Sequence, residues 1–282
     1  MDVCSNGSDG VLFFKMSGHG NDFIVIDNID GYHALDWRKY SSIWCQRRLS
    51  VGADGILIIE KSERADFRLR IFNSDGSEAE MCGNGARCAA VLASLRNRAG
   101  SHMTFETMAG IIRAQVEGDR ASIQLTDPRE DQGKVELDID GEHLTLHCIN
   151  TGVPHAVLFV KNIWNIPGEE IKRTGHLIRF HSIFKPEGTN VDFVEVLGPG
   201  NICVRTYERG VEAETMACGT GAAAAALITH LHGNGGDPPF SVKVPEGMLE
   251  IDFHDTDSHI SDVWLTGRVS CACKGYLSYK ET

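Results

Sequence analysis

Three things are scarce or missing in this 282-residue sequence, and each argues against a class of protein. No apolar run approaches the roughly 20 residues that a membrane-spanning helix needs. Basic residues (27 Lys and Arg) are outnumbered by acidic ones (39 Asp and Glu), and the net charge of −12 argues against broad nucleic-acid or anionic-membrane binding. The polar segment Met1–Gly10 lacks the basic and apolar parts of a secretory signal, so we expect a cytoplasmic protein with no membrane partner.

The nine cysteines follow neither of the usual structural patterns. Their number is odd, the chain is not small, and no Cys-x-x-Cys pair occurs, which argues against a disulfide framework. Cysteine and histidine residues with zinc-site spacing are also missing, so no metal site is predicted. We therefore expect most of the thiols to be reduced and buried as small apolar side chains. The neighbours of two cysteines, Cys82 and Cys218, point to a different use.

Strand patterns dominate the sequence. Two alanine-rich segments, Asn84–Asn97 and Thr220–His232, predict helices, and Trp37–Arg47 is a third candidate. These helices interrupt the strands without strict alternation, which favours the α+β class. The runs that predict strands are β-branched or aromatic and are bounded by Gly, Asp or Asn: Phe23–Asp27, Ile56–Glu60, Phe67–Phe72, Ser122–Leu125, Ala156–Val160, Val191–Val196, Cys203–Tyr207 and Met248–Phe253.

The two halves of the chain contain an internal repeat. Ile71–Ala86 aligns without a gap with Tyr207–Ala222, so that each half has a Cys-Gly-x-Gly at the start of a predicted helix. A second match lies upstream, between Gly52–Glu60 and Gly188–Val196. The repeat indicates two similar domains. Counting back from the two cysteines also matches Glu78 with Glu214, which we leave outside the catalytic set.

We place the two domains at residues 11–127 and 128–269. The boundary then falls in the polar stretch Thr126–Gly141, which contains Pro128. The last residues, 270–282, are a candidate to complete the first domain.

Cys82 and Cys218 each precede a helix whose first N–H groups have no intrahelical partner. The helix dipole there favours negative charge, so we expect the pKa of each thiol to be lowered and a carboxylate to bind the free N–H groups. If the N-termini of these two helices face one pocket, they place a sulfur on each side of a substrate Cα. One sulfur, as thiolate, would remove the proton, and the other, as thiol, would protonate the opposite face. This scheme requires no cofactor.

Other interpretations remain open for the same residues. A single Cys-Gly-x-Gly is more often a tight turn with a buried cysteine, but two aligned copies are hard to explain by packing. Cys82 and Cys218 could instead form a disulfide, either as an inactive oxidised form or in a thiol redox sensor. A third alternative is a ligand-binding protein without catalytic activity.

The sequence resembles diaminopimelate epimerase over nearly its whole length after Val11. The resemblance implies two like α+β domains, each with a mixed or antiparallel sheet around a central helix, and an active site in the cleft between them. It also implies interconversion of LL- and meso-2,6-diaminopimelate and a homodimer. The matching blocks keep the family's order and spacing: Gly18–Phe23, Gly52–Gly55, Phe72–Ser77, Met81–Cys88, Asn150–His155, Glu187–Asn190, Tyr207–Gly210 and Ala217–Gly221.

The resemblance also implies a role for each matching residue. Cys82 would be the base toward the LL isomer and Cys218 the proton donor, with the roles exchanged in reverse. His155 and Glu208 would assist the thiols. The reacting end of the substrate would be held by Gly83, Asn84, Gly219 and Thr220, and the distal end by Asn21, Asn73, Asn190 and Arg209.

The residues alone leave some of these roles open. An arginine at position 209 can bind a distal carboxylate with two hydrogen bonds, although a surface ion pair is the alternative. His155 could be an ordinary core histidine, and Asn21 an ordinary turn residue.

The sequence departs from the family at Val153, where many members have Asn, and at Gly55, where some have Gln. Both changes remove a polar side chain near the distal group. A related racemase or epimerase acting on histidine or on a proline derivative is therefore the competing enzyme.

Overall fold

The computed structural model describes residues 10–233, 235–256 and 259–279, without the side chains of residues 130–132. Most of the predicted N-terminal extension Met1–Gly10 lies outside the described residues. The chain divides into two compact units: one comprises the residues up to Ile123 and those from Gly267 onward, and the other Gln124–Thr266. The boundaries placed from the sequence, 127/128 and 269/270, lie within a few residues of these points and remain a prediction of where each repeat begins and ends.

The described residues form helices and strands in this order along the chain: β1 (Gly10–Gly18), β2 (Asn21–Asp27), α1 (Trp37–Trp44), β3 (Gly55–Glu60), β4 (Phe67–Asn73), β5 (Glu78–Ala79), α2 (Gly83–Leu95), β6 (His102–Thr107), β7 (Gly110–Glu117), β8 (Arg120–Gln124), β9 (Arg129–Ile139), β10 (Glu142–Asn150), β11 (Pro154–Phe159), α3 (Gly168–Arg179), β12 (Asn190–Gly198), β13 (Asn201–Glu208), β14 (Ala213–Thr215), α4 (Gly219–Leu231), β15 (Phe240–Val244), β16 (Gly247–Thr256), β17 (His259–Arg268) and β18 (Ser270–Ser278). Short 3-10 turns occur at Ile163–Asn165 and Ser182–Phe184. No helix of the described residues is long and apolar enough to cross a membrane.

The two units have the same strand pairing. In the first, β18, β1, β2, β3, β4, β6, β7 and β8 are neighbours in that order, and only β2/β3 and β4/β6 are parallel. In the second, β9, β10, β11, β12, β13, β15, β16 and β17 follow one another with β11/β12 and β13/β15 parallel.

The helices occupy equivalent connections. Helices α1 and α3 join the first parallel pair of their unit, while α2 and α4 join the second, as parallel strands require a long connection. The predicted α+β class, with two like units each built as a mixed sheet around a central helix, is confirmed.

In the first unit, β3 is buried on both faces, which explains its unbroken apolar sequence. Leu57 and Ile59 pack in the cluster that surrounds α2, whereas Ile56 and Ile58 pack on the opposite face with Trp37 of α1. Because side chains alternate along a strand, a single apolar run supplies both cores.

The second unit repeats this arrangement. The alanines of α4 are completely buried against Val194 of β12 and Val204 of β13, since their small side chains let the helix lie close to the sheet. The opposite face of β12 carries Phe193, which packs with Ile171 and Ile178 of α3. Each sheet therefore holds its central helix on one face and a shorter helix on the other.

The predicted helices all form, with small shifts at their ends, but α3 was not predicted. Only Ile171 and Ile178 are fully buried apolar side chains on this helix, and a glycine lies between them, so its apolar face is weak in the sequence. All eight predicted strands form, as β2, β3, β4, β8, β11, β12, β13 and β16. The strands that the sequence did not predict are β1, β5, β6, β7, β9, β10, β14, β15, β17 and β18.

Two of these strands change the sequence-based description. The polar stretch Thr126–Gly141 contains β9, which pairs with β10 and turns Leu137 and Ile139 toward a core while alternate residues stay polar. The C-terminal strand β18 pairs with β1 along its whole length, from Gly10 opposite Ser278 to Ser17 opposite Ser270.

We expect Gly175→Ala to destabilise the second unit. A Cβ at Gly175 in α3 would lie 2.5 Å from Cβ of the fully buried Tyr207, so the packed ring has to shift. The expected loss is about 1–3 kcal/mol in urea unfolding, typical of an overpacked core. Gly168→Ala in the same helix is the matched control, since the nearest atom would be 3.8 Å away, and it should be neutral or slightly stabilising. Equal unfolding midpoints for the two variants would contradict this account of the packing.

Candidate active site

Cys82 caps the N-terminus of α2 in an extended conformation (φ −147°, ψ 114°). The Gly85 N–H donates to Cys82 Sγ at 3.5 Å, and the thiol donates to Asn21 Oδ1 at 3.6 Å. The sulfur therefore has a donor on one side and an acceptor on the other. This environment is compatible with both the thiolate and the thiol that a proton-transferring cysteine must pass through.

Asn21 is held in one orientation by Asp54. Asn21 Nδ2 donates to Asp54 Oδ2 at 2.6 Å, which leaves Asn21 Oδ1 facing Cys82. Asp54 in turn accepts from Arg47 Nη2 at 2.6 Å. The Asn21 side chain is therefore fixed by a charged network and is more than a turn residue.

Asp22 completes this network beside Asn21. Its carboxylate accepts from Arg47 Nη2 at 2.6 Å and from Lys15 Nζ at 2.5 Å, and Lys15 also donates to the Gly52 carbonyl. Partial burial acts to raise the pKa of Asp22, but the hydrogen bonds and charges of Arg47 and Lys15 outweigh it and lower the pKa to about 2. The two carboxylates, Asp22 and Asp54, are thus balanced by two cations.

The Asn84 side chain is engaged inside the protein. Its side-chain oxygen accepts from Arg87 Nη2 at 2.6 Å, inside a part of α2 where Arg87 is fully buried. Burial lowers the pKa of Arg87 to about 10, so it remains a cation at neutral pH. Because the first N–H groups of a helix lack intrahelical acceptors, the N–H groups of Gly83 and Asn84 are the part of this start that can bind a carboxylate.

Cys218 occupies the equivalent position at the start of α4 (φ −112°, ψ 114°), where Sγ lies 3.4 Å from Thr220 Oγ1. The expectation that the helix start lowers the pKa of this thiol is wrong. Burial, followed by the negative charges of Glu208 and Asp192, raises the pKa of Cys218 far above its ordinary value and outweighs the Thr220 hydroxyl and the Gly221 N–H. This environment favours the thiol form of Cys218.

A buried polar chain lies beneath Cys218. His155 Nδ1 is 2.7 Å from Asp192 Oδ2, and the side chains of both residues are completely buried. Thr206 Oγ1 donates to Asp192 Oδ1 at 2.7 Å, while His155 Nε2 lies 3.5 Å from Asn190 Nδ2. Asp192 was not predicted from the sequence, although an aspartate inside the apolar run of β12 is a detectable signal.

Glu208 and Arg209 follow the end of β13. Burial, and secondarily the charge of Asp192, raises the pKa of Glu208 against the opposing effects of the Thr215 hydroxyl and His155. The Arg209 backbone N–H donates to Asn190 Oδ1 at 2.8 Å, which fixes the Asn190 amide. The Arg209 guanidinium contacts only the Glu187 carbonyl, at 3.4 Å, and no carboxylate of the described residues lies within ion-pairing distance of it.

The remaining predicted residues lie at the ends of the same elements. Asn73 is exposed at the end of β4, where its Nδ2 donates to Ser77 Oγ at 2.9 Å. Gly219 begins α4 and packs against Leu265, and the Thr220 carbonyl accepts from Thr151 Oγ1 at 3.2 Å. These contacts leave the Gly219 and Thr220 N–H groups at the start of α4 as candidate donors.

Gly55 has a structural explanation, whereas the contact of Val153 involves only its backbone carbonyl and does not explain its side chain. A Cβ at Gly55 would lie 2.5 Å from the Phe72 carbonyl oxygen, so a larger residue requires a backbone shift. The Val153 carbonyl accepts the Thr151 N–H at 3.2 Å in the turn before β11.

Glu78 and Glu214 serve the fold. Each forms two hydrogen bonds with an arginine of the neighbouring strand, Arg70 in the first unit and Arg205 in the second, at 2.6–3.0 Å. The paired arginine and glutamate are one residue further apart in the second unit, so the loop between β13 and β14 is one residue longer than the loop between β4 and β5. Phe72 and Tyr207 lie opposite the two glutamates, so Asn73 is structurally equivalent to Glu208, whereas the sequence repeat matched it with Arg209.

Of the cysteines that the structure describes, none forms a disulfide. Within the described residues, no group of three or more His, Cys, Asp or Glu side chains is arranged to hold a metal ion.

The Asp22 network predicts a specific acid sensitivity. Because the folded-state pKa of Asp22 is depressed to about 2, its stabilisation is present above the unfolded pKa near 4 and is lost as pH falls toward 2. We expect Asp22→Asn to lower the free energy of unfolding at pH 7 by about 2 kcal/mol. Urea unfolding at several pH values should show the difference from wild type shrinking between about pH 4 and about pH 2. A difference that is constant across this range would contradict the ion-pair role.

The chain was compared with known proteins. The family model "Diaminopimelate epimerase" matches it twice, over residues 13–131 and 147–271. Diaminopimelate epimerases of Aquifex aeolicus and Methanothrix thermoacetophila are each 42% identical to it, covering 94% of this chain and 97% and 95% of their own. Two solved structures share the fold at low identity: a hydroxyproline epimerase from Agrobacterium vitis (TM-score 0.71, 15% identity, 98% and 95% covered) and a Bacillus anthracis phenazine biosynthesis protein (TM-score 0.70, 18%, 95% and 99%). The chain belongs to the diaminopimelate epimerase family of isomerases.

Proposed function

We propose that this protein interconverts LL- and meso-2,6-diaminopimelate by moving the proton of one α-carbon between two thiols. One observation carries the proposal: Cys82 and Cys218 cap topologically equivalent helices in two like units. The identity of 42% with curated diaminopimelate epimerases supports the substrate.

Cys82, as thiolate, takes the α-proton of the LL isomer, and the electron pair of the C–H bond passes into the α-carboxylate. Cys218, as thiol, then delivers its proton to the opposite face of Cα. One C–H bond breaks and another forms, so configuration inverts with no net oxidation. In the meso-to-LL direction the two cysteines exchange roles.

The helix starts supply the stabilisation that this chemistry needs. Charge develops on the carboxylate as the proton leaves, and backbone N–H groups at Gly83, Asn84, Gly219 and Thr220 are fixed donors that stabilise it. His155 and Glu208 assist the thiols. Glu208 is partly buried with a raised pKa, so it holds a proton more readily than an exposed carboxyl group and is suited to proton exchange.

We assign the distal amino-acid end of the substrate to Asn21, Asn73, Asn190 and Arg209. Asn21 and Asn190 are held by hydrogen bonds to Asp54 and to the Arg209 backbone, which presents their amides in fixed orientations. The Arg209 guanidinium has no carboxylate partner among the described residues, so it is suited to bind a second carboxylate.

The competing substrates have only one amino-acid end. A hydroxyproline epimerase shares the fold at 15% identity, which bears on the fold alone. Histidine or a proline derivative would leave Arg209 without a carboxylate. We therefore favour a substrate with two amino-acid ends, used in the cytoplasm as a precursor of lysine and peptidoglycan, and we propose a homodimer as the working assembly.

The decisive experiment is an LL-to-meso assay under reducing conditions, with exchange of the α-proton against solvent deuterium measured in parallel. We expect Cys82→Ala and Cys218→Ala each to lower turnover by about a thousandfold or more, because each removes one of the two proton carriers. Cys273→Ala is the matched control, since this thiol is exposed on β18, and it should keep full activity.

Several outcomes would refute the proposal. Near-normal turnover by either catalytic variant would exclude the two-thiol scheme. Faster turnover of histidine or hydroxyproline than of diaminopimelate would reassign the substrate. Absence of exchange in the reduced wild type would indicate a binding protein.

The distal assignment predicts a binding defect in Arg209→Met. Loss of hydrogen bonds to a charged group costs about 1.5–3 kcal/mol, so KM for diaminopimelate should rise roughly tenfold to a hundredfold. Arg209→Lys keeps the charge but not the two-point geometry, and its KM should fall between those of wild type and Arg209→Met. An unchanged KM in steady-state kinetics of Arg209→Met would remove Arg209 from the site.

A further inference from the structure

The two cysteines have equivalent positions but opposite electrostatic surroundings. In the strand pairing Asp192 takes the place of Leu57, and Glu208 takes the place of Asn73. The first unit therefore has neutral side chains where the second has two carboxylates. Both carboxylates act on Cys218.

Asp192 is built into the sheet face that α4 covers. Its carboxylate is fully buried, accepts from Thr206 Oγ1 and lies 2.7 Å from His155 Nδ1. A Cβ at Gly221 in the first turn of α4 would be 2.3 Å from Asp192 Oδ1, so the carboxylate lies directly against this turn. At the equivalent glycine of α2, Gly85, the nearest atom is the apolar Leu57 Cδ2 at 3.0 Å.

Burying a carboxylate is energetically costly unless it is paired or hydrogen-bonded. Leu, Val or Ile at position 192 would continue the apolar face, as Leu57 and Ile59 do on the equivalent face of β3. The Thr206 hydroxyl and the His155 ring hold Asp192 where its charge acts on the start of α4.

The other charged groups near the two thiols do not reverse this contrast. Beside Cys218 they are His155 on β11 and Glu208 on β13, while Arg205 faces away and pairs with Glu214.

Beside Cys82 the carboxylates of Asp22 and Asp54 are balanced by Lys15 and Arg47, and the buried Arg87 adds a positive charge. Even with His155 protonated, the side chains around Cys218 have a net negative charge when Glu208 is ionised. Those around Cys82 have a net positive charge.

We propose that Asp192 is a positioning residue that keeps the proton on Cys218 in the substrate-free protein, by holding a buried negative charge against the first turn of α4 and by fixing His155. This inference rests on the proposed function for its catalytic meaning. Cys218 as a resting thiol is the form that accepts the LL isomer. Each LL-to-meso turnover ends with the proton on Cys82, so the free protein must return it to Cys218, and Asp192 favours that return.

The test measures alkylation of each thiol by iodoacetamide as a function of pH, resolved by peptide mass spectrometry, on the reduced full chain without substrate. Asp192→Asn keeps the shape and removes the charge. We expect the alkylation midpoint of Cys218 to fall by on the order of one pH unit while that of Cys82 is unchanged. Asp237→Asn is the matched control, because this exposed carboxylate lies near His230 at the other end of α4. It should shift neither midpoint.

An unchanged Cys218 midpoint in Asp192→Asn would overturn the inference, and so would an equal shift at both cysteines, which indicates general loosening. Wild type gives a second reading should Asp192→Asn fail to fold: the Cys218 midpoint must lie above that of Cys82, and the reverse order overturns the inference. Because alkylation needs no turnover, these results are independent of whether the epimerase assay succeeds.

The pH dependence of activity distinguishes this role of Asp192 from a purely structural one. The proposed reaction needs one thiol and one thiolate, so loss of the Cys218 proton ends activity at high pH. In Asp192→Asn the alkaline limb of kcat/KM should move to lower pH by the same amount as the Cys218 midpoint. A lower kcat/KM with an unmoved alkaline limb would contradict the inference.

Discussion

Close packing of each central helix on its sheet constrains the rest of the structure. The first turn of α4 lies on Asp192 at a distance that only glycine allows, and the first turn of α2 lies nearly as close to Leu57. This approach brings a helix start, with its unpaired N–H groups, to the ends of the strands. The cysteine that caps each helix is consequently held beside the residues that follow those strand ends. The repeated Gly-x-Gly is therefore a packing requirement and a chemical one.

Much of this was predictable because the repeat and the alanine-rich helices are strong local signals. The cysteine pair, the two like units and the strands β3 and β12 followed from short-range pattern. The strands that were missed, such as β7 and β9, are half-exposed, and their polar residues obscured the alternation. Helix α3 was missed because its buried face includes Gly175. Local pattern does not reveal which distant side chain will fill the space beside a glycine.

Local sequence pattern also failed to predict the pKa of Cys218. A helix start lowers the pKa of a thiol, and the sequence placed both cysteines at such starts. Burial and the carboxylates that tertiary folding brings to Cys218 reverse the effect there. Asp192 is far from Cys218 in sequence, so its influence appears only once β12 lies beneath α4. The two units provide like scaffolds, and a few different residues on the sheet face make their electrostatics unequal.

The pairing of β18 with β1 has a consequence for how the chain is made. The first unit is discontinuous, because its sheet includes residues from both ends of the chain, whereas the second is one continuous segment. During synthesis the second unit has all its strands before β18 has been translated. The first unit lacks an outer strand until then, and β1 meanwhile has an unpaired edge. The N-terminal half, although made first, is therefore completed last, and truncation at the C-terminus removes a strand from the unit that carries Cys82.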